Sequence, residues 1–270
     1  MIRAHRKRKR AALPARGAQY LFKAWPEIAR RLRKQRRWAI YLDYDGTLVP
    51  LQRTPGRAAL PEYGRRVLRS LARHRRVRVN VISGRSVRSV SHQVGVGGIG
   101  YIGQHGMEPP TRAMAVSPAV QNALLLAKRA VWARLRGLPG VWVEDKGACF
   151  AVHYRGARLP VARRAGRAVR HSLDRSASSA ALRIMPGKKV WEVLPKGASK
   201  GVAVKESLKK FAERPLVIFV GDDTTDEEVF RSLPGAITIR VGARNNTGAK
   251  YYLRSPAEVL AFLERLESLL

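Results

Sequence analysis

Trp38-Ala-Ile-Tyr-Leu-Asp-Tyr-Asp-Gly-Thr-Leu48 is the stretch on which the fold turns. Ala39 to Leu42 are apolar and strand-like. They end at Asp43 and Asp45, two carboxylates two positions apart, and on a strand positions i and i+2 face the same way. Gly46 breaks the strand and lets backbone approach a ligand closely. Thr47 adds a hydroxyl, and Leu48 returns to apolar packing. Two acids thus leave the end of a buried strand together. One can attack an electrophile while its neighbour moves a proton, and both can offer oxygen to a hard cation. The competing reading is an ordinary turn in which Asp is the turn former.

The rest of the chain weighs against that plain reading. Its 270 residues allow one large domain or two small ones, and 45% hydrophobic residues suffice for a core. The formal charge of +34 is far from balance. Nucleic acid, an anionic substrate or an anionic surface fits such a charge, and so do arginines on solvated faces. Beyond residue 40 the arginines are scattered through amphipathic segments, whereas the first 38 residues hold 14 Lys/Arg and one acid. Acids number only 19, so their placement is informative. Seven lie in two short segments: Asp43 and Asp45, then Asp222, Asp223, Asp226, Glu227 and Glu228. A basic chain that gathers its few carboxylates in two places needs them for a cation. The single Cys149 excludes an intramolecular disulfide and a Cys-based zinc site, and its apolar setting points to a buried, inert thiol. No apolar run is long enough to span a bilayer. The Arg-rich N-terminus has no apolar stretch behind it, so no secretory leader is expected and the cytoplasm is.

Along the chain, residues 1–16 read as a disordered basic tail and 18–36 as helical, with a helix start near Pro26. A helical apolar face follows at Val67, Leu68 and Leu71, then a strand, Val77 to Ile82, ending at Ser83-Gly84-Arg85-Ser86. A hydroxyl and free backbone N–H groups opening a helix make an anion seat, or else a plain N-cap. Gly95 to Gly100 matches G-x-G-x-x-G but precedes a strand, Tyr101-Ile102, and no acid between Glu108 and Glu144 is there to hold a ribose, so it is not a dinucleotide site. His105, in the following Gly103-Gln-His-Gly106, either reaches the site or shapes a turn. From 107 to 190 the pattern becomes helix, hairpin, helix, hairpin, as in a small inserted α+β domain. Trp142 and Trp191 there are flanked by apolar residues and read as core. Alternation of strand and helix then resumes: a helix from Lys200, an apolar strand Leu216 to Val220 ending in Gly221-Asp-Asp-Thr-Thr-Asp-Glu-Glu228, a strand 236–241, and a helix 256–269.

Asp43, Ser83 and Asp222 each follow an apolar strand, and ligands of open parallel sheets bind outside the carboxyl ends of the strands. Asp43, Asp45 and Asp222 then form a three-point oxygen environment for Mg²⁺. Lys200 adds positive charge for a phosphate, and Asp226 either pairs with that lysine or supports the metal site. The chemistry is phosphoryl transfer. Asp43, ionised at neutral pH without help, is placed to form an aspartyl-phosphate, and Asp45 to protonate the leaving alkoxide and then activate water.

Asp-x-Asp-Gly-Thr-Leu at 43–48, Ser83, Lys200 and Gly-Asp-Asp-x-x-Asp-Glu at 221–227 resemble the four motifs of the haloacid dehalogenase (HAD) superfamily of phosphatases. Within it, 42–50, 83–85, 103–108, 143–147, 152–155, 187–193 and 221–227 are similar to the trehalose-6-phosphate phosphatase family. The resemblance implies an α/β fold, a Rossmann-like HAD core with a parallel sheet and an inserted α+β cap domain. The expected division is 1–35 basic tail and N-terminal helix, 36–106 and 191–270 core, and 107–190 cap. It further implies Asp43 as nucleophile, Asp45 as acid/base with its backbone carbonyl on the metal, and Asp222 as metal ligand, with Asp223 and Asp226 supporting. Thr47, Ser83, Gly84 and Lys200 are expected on the phosphate, and Arg85, His105, Glu144, Lys146, Lys188 and Glu192 on the substrate. The activity implied is Mg²⁺-dependent hydrolysis of trehalose 6-phosphate. The partner is a small sugar phosphate, with no membrane, and a monomer is expected. Sister enzymes acting on sucrose or mannosyl phosphate remain open. So does a basic nucleic-acid binder on an inactive scaffold, contacting nucleic acid through the tail.

Overall fold

The computed structural model describes residues 17–51, 59–108, 117–174, 178–187, 189–242 and 246–270. The basic tail 1–16, part of the 51–60 loop and Lys188 therefore lie outside the described residues.

The chain opens with β1 (Gln19–Tyr20), α1 (Trp25–Arg33), β2 (Trp38–Asp43), α2 (Glu62–Arg73), β3 (Val77–Ile82), α3 (Val87–Val94) and β4 (Gly100–Ile102). A second layer system follows: α4 (Pro118–Leu135), β5 (Trp142–Asp145), β6 (Phe150–His153), α5 (Leu159–Asp174), α6 (Ser178–Ala181), β7 (Leu182–Gly187) and β8 (Val190–Pro195). The chain then returns with α7 (Lys200–Leu208), β9 (Leu216–Gly221), α8 (Thr224–Ser232), β10 (Ile237–Val241), β11 (Tyr251–Leu253) and α9 (Pro256–Glu267).

The larger sheet has the order β1-β11-β10-β9-β2-β3-β4, and all of its pairings are parallel. β2 lies inside it, between β9 and β3, with all six residues buried, which is why it reads as an apolar run instead of alternating. On one face Ile40, Leu42, Val79 and Val81 pack against Ile28 of α1, Leu68 of α2 and Phe262 of α9. On the other, Tyr41 and Phe219 pack against Val204 of α7 and Phe230 of α8. Each fully buried side chain of this size contributes about 1.5–3 kcal/mol, so the β2 frame is held on both sides before any site chemistry is added. Serines set the helix starts around it. Ser86, Ser199 and Ser255 each accept from a backbone N–H in the first turn of α3, α7 and α9.

The smaller sheet is antiparallel, β5-β6-β8-β7, and buries Phe150, Val152 and Val193 against Val131 of α4 and Val169 of α5. Its strand β8 runs to Pro195, across the boundary expected at 190. In the segment 18–36 the helix starts beside Pro26, as expected, while the residues before it form a strand. Gln19 and Tyr20 pair with Tyr251 and Tyr252 at the sheet edge, and the helix begins only at Trp25 with Pro26 in its first turn. No helix among the described residues is long and apolar enough to cross a membrane.

Candidate active site

β2, β3 and β9 lie side by side in register, so Asp43, Ser83 and Asp222 emerge at one edge of the sheet. Ser199, as N-cap of α7, fixes Lys200 at the first position of that helix. The Lys200 Nζ donates to Asp43 Oδ1 at 2.6 Å and to Asp226 Oδ1 at 2.8 Å. All three groups are buried. Asp226 comes from the first turn of α8, where its other oxygen accepts from the Asp223 N–H at 2.9 Å. Asp222 Oδ1 accepts from the Thr47 hydroxyl at 3.3 Å. Gly46, at φ +88°, is required here: a Cβ would fall inside the Asp222 carboxylate.

Oxygens of Asp43, Asp222 and Asp226 lie within 4.8 Å of one another. Burial raises Asp43 well above the usual carboxylate range; Lys200 opposes this, and Asp226 and Asp222 add to it. Asp222 is pushed up to about 6, by burial first and then by Asp226. Burial works against the charge on Lys200 as well, but Asp226 and Asp43 outweigh it and hold the ammonium charged. The Asp43 carboxyl therefore does not keep the ordinary range that its residue type alone suggested. Three carboxylates share one ammonium in a dry place. Such an all-oxygen donor set with an excess of negative charge fits a hard divalent cation.

Asp226 pairs with Lys200, as expected, and also joins Asp43 and Asp222. The Asp45 carboxylate, counted with them in the three-point reading, points elsewhere; the family resemblance expects only its backbone carbonyl on the metal. Arg85 takes both of its oxygens, Nε to Oδ2 at 2.6 Å and Nη2 to Oδ1 at 2.5 Å, while lying over the Tyr44 ring at 5.5 Å. Asp223 lies outside the group of three, although its charge acts on Asp222. It is exposed and caps α8, accepting from Thr224 N at 2.7 Å. Thr47 is fully buried on Asp222. Ser83 is buried, its Oγ accepting from the Arg85 N–H at 3.2 Å.

The cap meets this edge through two polar ties. Lys146, in the turn after β5, donates to the Gly84 carbonyl at 3.3 Å and to Glu192 Oε1 at 2.6 Å. Glu192, from β8, also pairs with His105 Nε2 of the core. Burial disfavours the Glu192 charge, but His105 and Lys146 together bring its carboxyl down to about 2. His105 is set by a left-handed backbone at φ 55° and lies over Gly84, where a Cβ would be 2.6 Å from the ring. Glu144 stands apart, half-exposed and bonded to His153 Nε2 at 2.8 Å.

Trp142, read as core, is 55% exposed and stacks on His153 with ring centroids 3.9 Å apart. It sits on β5, an edge strand, so one of its faces has no sheet neighbour. Trp191 does pack on the cap core and stacks on Tyr154.

Several residues escaped the sequence reading. Glu108 accepts from the Val87 N–H at 2.7 Å and so fixes the start of α3 behind Ser83. Arg240 of β10 donates to the carbonyl oxygens of Asp222 and Asp223 and to Glu227, bracing the acidic loop. An arginine inside Ile-Thr-Ile-Arg-Val was the available signal. Arg183, Met185 and Gly187 of β7 line, with Asp223, Thr225 and Glu228, a cavity of about 460 Å³ between cap and core.

A model of the trehalose-phosphatase family matches residues 41–256. The chain is 35% identical over 245 residues to a trehalose-phosphate phosphatase of Mycobacterium bovis, covering 84% of this chain and 61% of that one. It is 34% identical over 252 residues to an alpha,alpha-trehalose-phosphate synthase [UDP-forming] B of Dictyostelium discoideum, covering 89% of this chain and 31% of that one. The chain therefore spans about three fifths and about a third of these relatives. Among solved structures it resembles the trehalose-6-phosphate phosphatase of Aspergillus fumigatus, with a TM-score of 0.70 and 26% identity over 93% of this chain and 99% of that one.

Proposed function

The chain belongs to the trehalose-phosphatase family, and from that premise we propose that it hydrolyses trehalose 6-phosphate to trehalose and inorganic phosphate. The observation that carries this reading is the meeting of Asp43, Asp222, Asp226 and Lys200 at one sheet edge, beneath a cap tied down by Lys146 and Glu192. Asp43, Asp222 and Asp226 would hold Mg²⁺. When bound, the ion supplies positive charge for the non-bridging phosphate oxygens.

The chain's own groups do the rest. Ser83 and Lys200 hold the phosphate in line with Asp43. An Asp43 oxygen bonds to phosphorus as the bond from phosphorus to the sugar oxygen breaks. Asp45 gives its proton to the departing alkoxide. It then takes a proton from water, whose oxygen bonds to phosphorus and frees Asp43. The Arg85 fork occupies both Asp45 oxygens, so acid–base work by Asp45 requires that pair to open as substrate enters. Cap residues Glu144, Lys146, Lys188 and Glu192 contact sugar hydroxyls in this reading. The enzyme acts as a monomer in the cytoplasm.

A phosphate-release panel tests the proposal. Trehalose 6-phosphate should be preferred over sucrose 6-phosphate and mannosyl phosphates, with turnover needing Mg²⁺. Asp43→Asn should abolish release while circular dichroism is unchanged. Preference for another sugar phosphate would move the chain to a sister activity, and tight, salt-dependent nucleic-acid binding without phosphate release would replace the enzyme reading.

A further inference from the structure

At the opposite end of the large sheet from the acidic cluster lies a second concavity, of about 190 Å³. It is walled by the incoming ends of β2, β3 and β4 and by the last turn of α7. Its rim at Arg37 is roughly 20 Å from Asp43 along β2, at about 3.3 Å per residue, and its floor at Tyr41 is two residues from Asp43. Its lining includes Arg37, Arg75, Arg76, Arg78 and Lys210, and no carboxylate. Arg37, Arg75 and Arg78 are exposed and have no carboxylate partner among the described residues. Glu213, the nearest acid beyond the α7 end, pairs instead with Arg36. Arg76 is pinned by the carbonyl oxygens of Gln35 and Arg36, at 2.6 and 3.1 Å, and lies over the Trp38 ring.

The hollow also has a firm floor. Tyr41 and Ser207 are hydrogen-bonded to each other at 2.6 Å, and Asn80 is fixed to the Ile40 carbonyl at 3.4 Å. Phe211 forms an apolar side. Clustered guanidinium groups around a polar-floored hollow match the planar, multiply charged oxygens of phosphate. The volume is of the order of six waters, which suits one or two phosphate groups and excludes a folded polymer.

We propose that this basic hollow is a binding site for a small anion carrying two or more linked phosphates, opening at the other end of the sheet from the reacting centre. Free diphosphate and the phosphate tail of a nucleotide share this chemistry. Phe211 beside the hollow offers a nucleotide base a contact that free diphosphate does not use.

The test is calorimetric titration of the full chain with inorganic pyrophosphate and, separately, with ADP, at physiological salt and in EDTA so that no cation bridges the ligand to the Asp43 cluster. Arg75→Gln/Arg78→Gln should weaken both ligands at least about tenfold, the loss expected on removing charge-assisted bonds. Arg163→Gln/Arg167→Gln removes the same charge from exposed positions of α5 and should leave binding unchanged. Tighter binding of ADP than of pyrophosphate identifies a nucleotide; equal affinity identifies the diphosphate alone. Equal weakening by both double variants would mean only diffuse attraction to a chain of charge +34, and the proposal would fall. A lowered unfolding midpoint with unchanged pyrophosphate binding would also sink it, because the arginines would then serve only the C-terminal ends of α2 and α7. A single-stranded RNA that binds tighter per phosphate than pyrophosphate, and loses binding in Arg75→Gln/Arg78→Gln, would overturn it in favour of a polymer surface.

Discussion

Glu192 ties β8 to His105 of the core, and replacing it with Gln has a computable cost. Its carboxyl is buried yet held from an ordinary 4.5 down to about 2 by His105 and Lys146. A depression of about 2.5 pH units, at about 1.36 kcal/mol each, comes to roughly 3 kcal/mol of stability at neutral pH. Gln keeps the shape and can still accept from one of the two partners, so about 2–3 kcal/mol should be lost at pH 7. Because the folded value is depressed, the contribution is complete above the unfolded value near 4.5. It is lost as pH falls through about 2, so more than half is gone by pH 3. Thermal unfolding should therefore show Glu192→Gln melting about 5–10 °C below wild type at pH 7, with the gap narrowing to a few degrees at pH 3. Lys146→Met in the same background should cost less than it does alone, because Lys146 donates directly to Glu192. An unchanged gap between pH 7 and pH 3, or strict additivity with Lys146→Met, would refute the clamp.

Lys200→Met leaves Asp43 and Asp226 buried without their ammonium and should cost about 3–5 kcal/mol in urea denaturation, together with activity. Gly46→Ala forces a Cβ into the Asp222 carboxylate at positive φ; more than about 1 kcal/mol of stability and most phosphate release should go. Asp223→Ala separates capping from cation binding. A stability loss of about 1 kcal/mol with turnover within a few-fold of wild type is expected, whereas Asp222→Asn should abolish turnover while folding normally.

The parts of the fold legible in advance were those with local causes. β2 and β9 are apolar runs buried on both faces and ended by Asp, and β3, apolar but for Arg78 and Asn80, ends at Ser83. β1 has two residues and pairs only with the three-residue β11, across more than 200 positions, which no local pattern encodes. In the site, the i, i+2 rule placed Asp45 beside Asp43, but β2 ends at Asp43, the chain bends at Tyr44 and the Asp45 carboxylate goes to Arg85. Helical geometry did the reverse for the acidic loop. Asp223 became the cap, and Asp226, one turn on, came back to the strand end. Arg183 was hidden by composition, since 53 basic residues make most single arginines uninformative, and Arg240 stood out only by its place inside an apolar strand. Trp142 misled because apolar neighbours signal burial only when the strand is not at a sheet edge.

The central claim is that Asp43 takes the phosphoryl group beside a cation held by Asp222 and Asp226. Acid-quenching the enzyme during turnover of trehalose 6-phosphate with Mg²⁺, then mapping peptides by mass spectrometry, tests it directly. The expected result is one phosphoryl group on Asp43, lost on omission of Mg²⁺ and absent in Asp222→Asn. Phosphate release at full rate with no phosphoryl group on Asp43, or with one on another residue, would contradict it.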